Sequence, residues 1–175
     1  MRFNLKTRIF RAVLYLGAMT HLRHFRGHGI HSPYAYNLVR NTIYKRHVVG
    51  SDHSLFEAMR SMKMPRRSSV QIQNIMHHLH CTSWRIVSGV GDMAGLGAET
   101  LVLTHPDIDK EGLLKVFRCV KQGGGSMIVI FPRSNSYRHA ICRRLCRKGE
   151  FMSIDNRRFT LMQFSPKLPR QHYKL

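Results

Sequence analysis

Hydrophobic positions recur with two different periods along this chain, and the change between them falls near residue 84. From Leu5 to Phe25 the apolar residues are Ile9, Phe10, Val13, Leu14, Leu16, Met19, Leu22 and Phe25, a helical spacing with a basic opposite face. Gly27 and Gly29 end that predicted helix. In HGIHSPYAY, Ser32 reads as an N-cap and Pro33 as the first residue of a helix reaching about Tyr44, with Tyr36, Leu38, Val39 and Ile43 toward a partner surface. Val48 to His53 reads as a loop and Ser54 to Met62 as a short helix. The polar, proline-containing KMPRRSS (Lys63 to Ser69) reads as a boundary. Ser69 is expected to cap a helix over Val70 to His80 whose apolar set is Val70, Ile72, Ile75, Met76 and Leu79.

After Thr82 and Ser83 the pattern becomes that of strands. Trp84 to Val90 is a short β-branched run ending at glycine, and Thr100 to Thr104 is a second. Asp107 to Gln122 is predicted as a helix, with acidic residues in its first turn and Lys121 in its last, as the helix dipole favours. Ser126 to Pro132 is a nearly continuous apolar run, the mark of a strand buried on both faces. Ser136 to Gly149 is a basic helix closed by glycine. Phe151 to Ile154 and Arg158 to Phe164 flank Asp155-Asn156-Arg157, a hairpin signal. The tail Ser165 to Leu175 is expected to be irregular. The predicted class is α/β, a small Rossmann-like mixed sheet with buried central strands. The expected organisation is a helical N-terminal extension over 1–62, a linker over 63–69 and an α/β domain over 70–175. No internal repeat is present.

Charge modifies this picture. The chain of 175 residues carries 29 Lys plus Arg against 9 Asp plus Glu, a formal charge of +20. Such a field attracts nucleic acid, other polyanions and anionic lipid, and it also opposes self-association. The first carboxylate is Asp52, with nine Lys or Arg before it, so a basic arm precedes a more mixed body. The run Ile9 to Met19 is too short to span a bilayer and is interrupted by Arg11. The segment has the outline of a signal peptide without a clear cleavage site, and it is read as a mature helix. Being basic and amphipathic, the helix from Leu5 to Phe25 would also suit weak contact with an anionic membrane. Cys81, Cys119, Cys142 and Cys146 are scattered, so reduced thiols and a cytoplasmic location are expected.

The stretch LVLTHPDIDKEGLLKVFRCVKQGGGSMIVIFP resembles the passage from fourth to fifth strand of class I (Rossmann-like) S-adenosylmethionine-dependent methyltransferases, where a helix and a closing hairpin follow. HGIHSPYAYNLV resembles the leader of bacterial methyltransferase-like proteins bearing a His-Gly-x-His-Ser-Pro-aromatic segment, here His28, Gly29, His31, Ser32 and Pro33. FSPKLPRQHYKL is similar to the same group's C-terminus. The resemblance covers about Leu5 to Ile43 and Val70 to Leu175. It implies a partial class I domain and S-adenosylmethionine as cofactor if the protein is active, and otherwise none. Such domains hold the cofactor on a glycine-rich turn after the first strand and on an acidic residue ending the second. Only about ten residues separate the strand at Trp84 from that at Thr100, too few for a second strand with two crossovers. A shortened, catalytically inactive member is therefore expected; the alternative is a basic module binding RNA or another polyanion.

The candidate site residues follow. Gly89, Gly91 and Asp92 are candidates for a remnant cofactor turn, against a simple connector. His105 and Asp107 follow a strand, where a general base could stand, or they merely start a helix. Asp109 lies in the same stretch. His77, His78, His80 and Cys81 lack a second ligand pair, so no metal is assigned. Cys142 and Cys146 read as packing residues. Arg133, Arg138, Arg143, Arg144, Arg147, Lys148, Arg157 and Arg158 form the best basic patch, for phosphate contact without base reading or as a solvated face. The methyl acceptor and oligomeric state are not readable from these residues.

Overall fold

The computed structural model describes Ile30, residues 32–93 and residues 95–175. The helix expected over Leu5 to Phe25, and His28, Gly29 and His31 of the leader, lie outside the described residues. Helix α1 (Pro33–Leu38) begins as expected: Ser32 Oγ accepts from the Ala35 amide at 3.3 Å, with Pro33 in the first turn. It continues into a π turn (Val39–Ile43), closed by Tyr44 N donating to Val39 O at 3.1 Å. Helix α2 (Ser54–Ser61) follows, then α3 (Arg66–His78).

The start of α3 departs from expectation. Residues 66–69 of the expected linker form its first turn, preceded by Pro65, and Ser69 is buried inside the helix with its Oγ donating to Pro65 O at 3.3 Å. A proline just before the first turn leaves the helix free to start there, and Arg66 and Arg67 suit helical backbone. The polarity of KMPRRSS therefore marks a helix start rather than a spacer. Nine consecutive residues of α3, Ser68 to Met76, are buried, so this helix is enclosed on all sides. Its buried amides fasten the surrounding chain. Gln71 Nε2 donates to Ile43 O at 2.9 Å, Gln73 Oε1 accepts from Phe56 N at 2.9 Å, and Asn74 holds His47 O and Val49 N at 3.0 and 2.8 Å.

The strands are β1 (Ser83–Val87), β2 (Thr100–Thr104), β3 (Ser126–Ile130), β4 (Met152–Asp155), β5 (Phe159–Gln163) and β6 (His172–Lys174). Helices α4 (Lys110–Gln122) and α5 (Ser136–Lys148) link the central strands. The sheet order is β1-β2-β3-β5-β4-β6. β1, β2 and β3 run parallel, β5 is antiparallel to both β3 and β4, and β6 is parallel to β4. The mixed α/β class read from the sequence is the one observed. The irregular tail is not: Ser153 N donates to Gln171 O and Leu175 N to Asp155 O, each at 2.9 Å, adding β6 as an edge strand. A three-residue strand with one apolar side chain, Tyr173, carries no periodic signal.

Both sheet faces are covered. Leu101, Leu103, Ile128, Ile130, Ile154 and Leu161 share one core with Leu38, Ile43, Leu55, Met59, Ile72 and Ile75 of the N-terminal helices. Val87, Val102, Met127, Val129 and Met162 pack on the other side against Ile108, Leu113, Val116, Cys142 and Cys146. Alternation along each strand sends neighbouring apolar residues to opposite helical layers. Each fully buried Leu or Ile contributes roughly 1.5–3 kcal/mol. Phe117, Phe151 and Phe164 close the second core with ring centroids 4.9–5.7 Å apart. This fixes Gly149, where a Cβ would come within 1.8 Å of Phe151 Cε1.

Candidate functional site

Open α/β sheets bind ligands outside the carboxyl ends of their parallel strands. Here those ends are Val87, Thr104 and Ile130. The chain leaves β1 through Ser88 and Gly89 into a single 3-10 turn (Val90–Met93) and returns at Thr100 as the adjacent parallel strand. The Asp92 carboxylate closes this loop on itself: Oδ2 accepts from Ser88 N at 2.9 Å, Ser88 Oγ at 2.8 Å and Gly89 N at 3.1 Å. These donors hold the Asp92 carboxyl below the usual carboxylate range. A Cβ at Gly89 or Gly91 would meet no heavy atom within 4 Å, so neither glycine is required by packing.

At the end of β2, His105 N donates to Val87 O at 2.8 Å and extends the ladder by one residue. Its Nδ1 accepts from the Asp107 amide at 3.2 Å and lies 3.6 Å from Asp107 Oδ2. The Asp107 side chain is 90% exposed. His105 and Asp107 thus form a local turn, followed by Asp109, which caps α4 by accepting from Gly112 N at 2.7 Å. The His105 Nδ1 is thus committed to the backbone amide of Asp107.

Thr104, the residue at the end of β2, is fully buried, and the side chain that meets it is Arg138. Arg138, read from the sequence as part of a solvent-facing patch, is 0% exposed, which corrects that expectation. It stands in the first turn of α5, where helical side chains lean back toward the N-terminus, here onto the strand ends. Its Nη2 lies 2.9 Å from Thr104 Oγ1, 3.3 Å from Thr104 O and 2.9 Å from Ile130 O. Nε and Nη1 are buried without a hydrogen-bond partner. Burial holds this guanidinium below the ordinary arginine range. Arg138 binds the two strand ends together.

Comparisons with family models, with curated proteins and with solved structures find no match to this chain. What the site can do therefore rests on its own geometry.

The other basic residues divide between the two ends of α5. Arg133 precedes the helix and pairs with Asp155 at 3.1 Å. Arg157 and Arg158 are exposed in the β4–β5 turn, and Arg158 O accepts from Phe131 N at 2.8 Å, which places them at the same end as Arg133. Arg143, Arg144, Arg147 and Lys148 are exposed toward the far end, on two stripes: Arg143 with Arg147, and Arg144 with Lys148. The structure adds residues that the sequence did not single out. Arg133, Asp155, Arg143 and Lys174 all act electrostatically on His139, and Asp155, Lys174 and Arg147 on His172. The spacing of 139, 143 and 147 was available as a signal; the approach of β6 to α5 was not.

Among the described residues no group of three or more His, Cys, Asp or Glu side chains is placed to hold a metal ion. His77 and His78 line a cleft of about 170 Å³ with Asn41, Thr42, Lys45, Val49 and Asn74. Asn74 is already occupied with backbone groups there. Cys81 is pushed up to about 11 by burial and by Glu99; Cys142 and Cys146 are pushed up to about 12 and about 11, chiefly by burial. Such thiols are packing groups rather than nucleophiles. Among the described residues no helix is long and apolar enough to cross a membrane.

Proposed function

We propose that this chain is a methyltransferase-like scaffold without a working S-adenosylmethionine site, acting by binding rather than by methyl transfer. One observation carries the reading: the Asp92 carboxylate takes the amides of Ser88 and Gly89 and the Ser88 hydroxyl. Those donors, in the turn after the first strand, are the ones a class I enzyme offers to the methionine part of its cofactor. The residues present do not fit that group in two further respects. β2 pairs directly with β1 after only residues 88–99, leaving no strand between them to end in a ribose-binding carboxylate. The end of β2, where these domains often carry a carboxylate near the reacting centre, carries Thr104 bound to Arg138.

The test is isothermal titration of the full chain with S-adenosylmethionine and with its demethylated product. The expected result is no saturable heat at micromolar concentrations of either. Micromolar binding would overturn the reading.

A further inference from the structure

We propose that His139, Arg143 and Arg147 of α5, together with His172 and Lys174 of β6, form a docking ridge for the phosphate backbone of a nucleic-acid strand. Positions 139, 143 and 147 are successive i, i+4 neighbours, so their side chains leave one face of α5 at intervals of about 6 Å along the axis. The sheet-facing side of the helix is a different one, carrying Arg138, Cys142 and Cys146. On β6 the alternation of strand side chains puts Tyr173 into the core shared with the N-terminal helices. His172 and Lys174 therefore point to the α5 side, where Ser153 Oγ stands 2.8 Å from His172 Nδ1. Among the described residues β6 is the edge strand of the sheet, so this stripe runs along that edge.

Among the described residues no salt bridge engages Arg143, Arg147 or Lys174, which carry the formal charge of the ridge. Asp155 is the one carboxylate that acts on both histidines. It is committed to Arg133 at 3.1 Å and to Thr160 Oγ1 at 3.0 Å. Three exposed cations, Arg143 and Arg147 one helical turn apart on α5 and Lys174 on β6, suit a repeating anion, with the two imidazoles as neutral hydrogen-bonding groups beside them and affinity arising from counterion release. The face lacks what the other polyanionic surface would require. Among the described residues the only large apolar side chain standing well exposed is Tyr137, at 40%, so the ridge has no apolar wedge to enter a bilayer. The scarcity of stacking aromatics also predicts weak dependence on base sequence.

The experiment is fluorescence anisotropy of the full chain with a labelled single-stranded RNA and its DNA equivalent, titrated over salt concentration. Wild type is compared with Arg143→Glu/Arg147→Glu/Lys174→Glu and with a control carrying the same charge change on α4, Lys115→Glu/Arg118→Glu/Lys121→Glu. The ridge variant is expected to lose at least about tenfold in affinity at low salt. Its slope of log K against log salt should fall by about 2, at about 0.7 per lost phosphate contact on a single strand. The control should stay within about threefold, since charges away from the contact act only through the screened field. Circular dichroism and thermal unfolding check both folds, and Arg143→Gln/Lys174→Gln replaces the ridge variant if it does not fold. Equal losses in ridge and control variants, or no binding at low salt, would overturn the proposal. So would binding to vesicles of anionic phospholipid that the ridge variant abolishes while nucleic acid is ignored.

Discussion

A guanidinium buried against two strand ends costs desolvation that its hydrogen bonds must offset. Among the described residues Arg138 forms no salt bridge, and two of its nitrogens lack hydrogen-bond partners, but it supplies a donor to Thr104 O, Thr104 Oγ1 and Ile130 O. Replacing a buried ion by an apolar side chain of similar volume is often tolerated. Here the acceptors left behind are strand-end oxygens enclosed by the protein, and each orphaned one costs about 1–3 kcal/mol. Orphaned acceptors should outweigh the relief of desolvation, so Arg138→Met is expected to destabilise the fold by about 2 kcal/mol. Urea unfolding measures it; a neutral or stabilising effect would mean that the desolvation cost dominates. Burial of this residue was not readable beforehand. An arginine among Arg143, Arg144, Arg147 and Lys148 has the chemistry of a solvated face, and only the position of α5 over the strand ends removes it from water.

The helices divide by how local their determinants are. α4 and α5 run over Lys110–Gln122 and Ser136–Lys148, close to the spans that periodicity and flanking glycines predict. Capping is as local as helix signals become, and Asn135, not singled out beforehand, accepts from Arg138 N at 2.9 Å. Asn135→Ala should cost about 1 kcal/mol in chemical denaturation, and Asn135→Asp should be nearly neutral. A loss far above this would imply that Asn135 also orders the loop carrying Arg133 and Ser134. α3 shows the limit of such reasoning. Its Gln71, Gln73 and Asn74 would mark the wet face of an ordinary amphipathic helix, but each is buried and hydrogen bonded to a distant helix end, helix start or loop. Polar residues lose their meaning as surface markers when neighbouring segments bring unpaired backbone groups to them. β6 lies beyond the same limit, since its pairing is decided by the free edge of β4.

For the molecule as a whole, three histidines with lowered pKa among the described residues set an acid limit. His78 is held below its ordinary 6.5 by burial, then by His80 and His77. His139 is held down by burial with Arg133, Arg143 and Lys174, and His172 by burial with Lys174 and Arg147; Asp155 opposes the shift in both. The unfolded chain binds protons at these sites more readily than the folded one, so their contribution is intact above about 6.5 and is lost as pH falls through the lower folded values. Asp52 and Asp92, whose carboxyl groups are also lowered, act only at more acid pH, below the 3.8 of a free carboxylate. The melting temperature should therefore fall between pH 7 and pH 5, and His78→Gln/His139→Gln/His172→Gln should flatten that profile. Calorimetry over this range checks it, and an unchanged slope in the triple variant would remove the histidines as the cause.

The α/β class, the approximate positions of the first five strands and most helix limits were set by local pattern, because runs buried on both faces, caps and glycine stops act within a few residues. The same is true of the spacing of His139, Arg143 and Arg147, and of the shortage of chain between the first two strands. What needed the tertiary structure is everything that depends on one segment meeting another. Asp92 closes its own loop, Arg138 leaves the surface, α3 becomes central, and the last residues bring His172 and Lys174 beside α5. Those outcomes depend on desolvation and on which backbone groups are left unpaired, quantities that exist only once the layers are assembled.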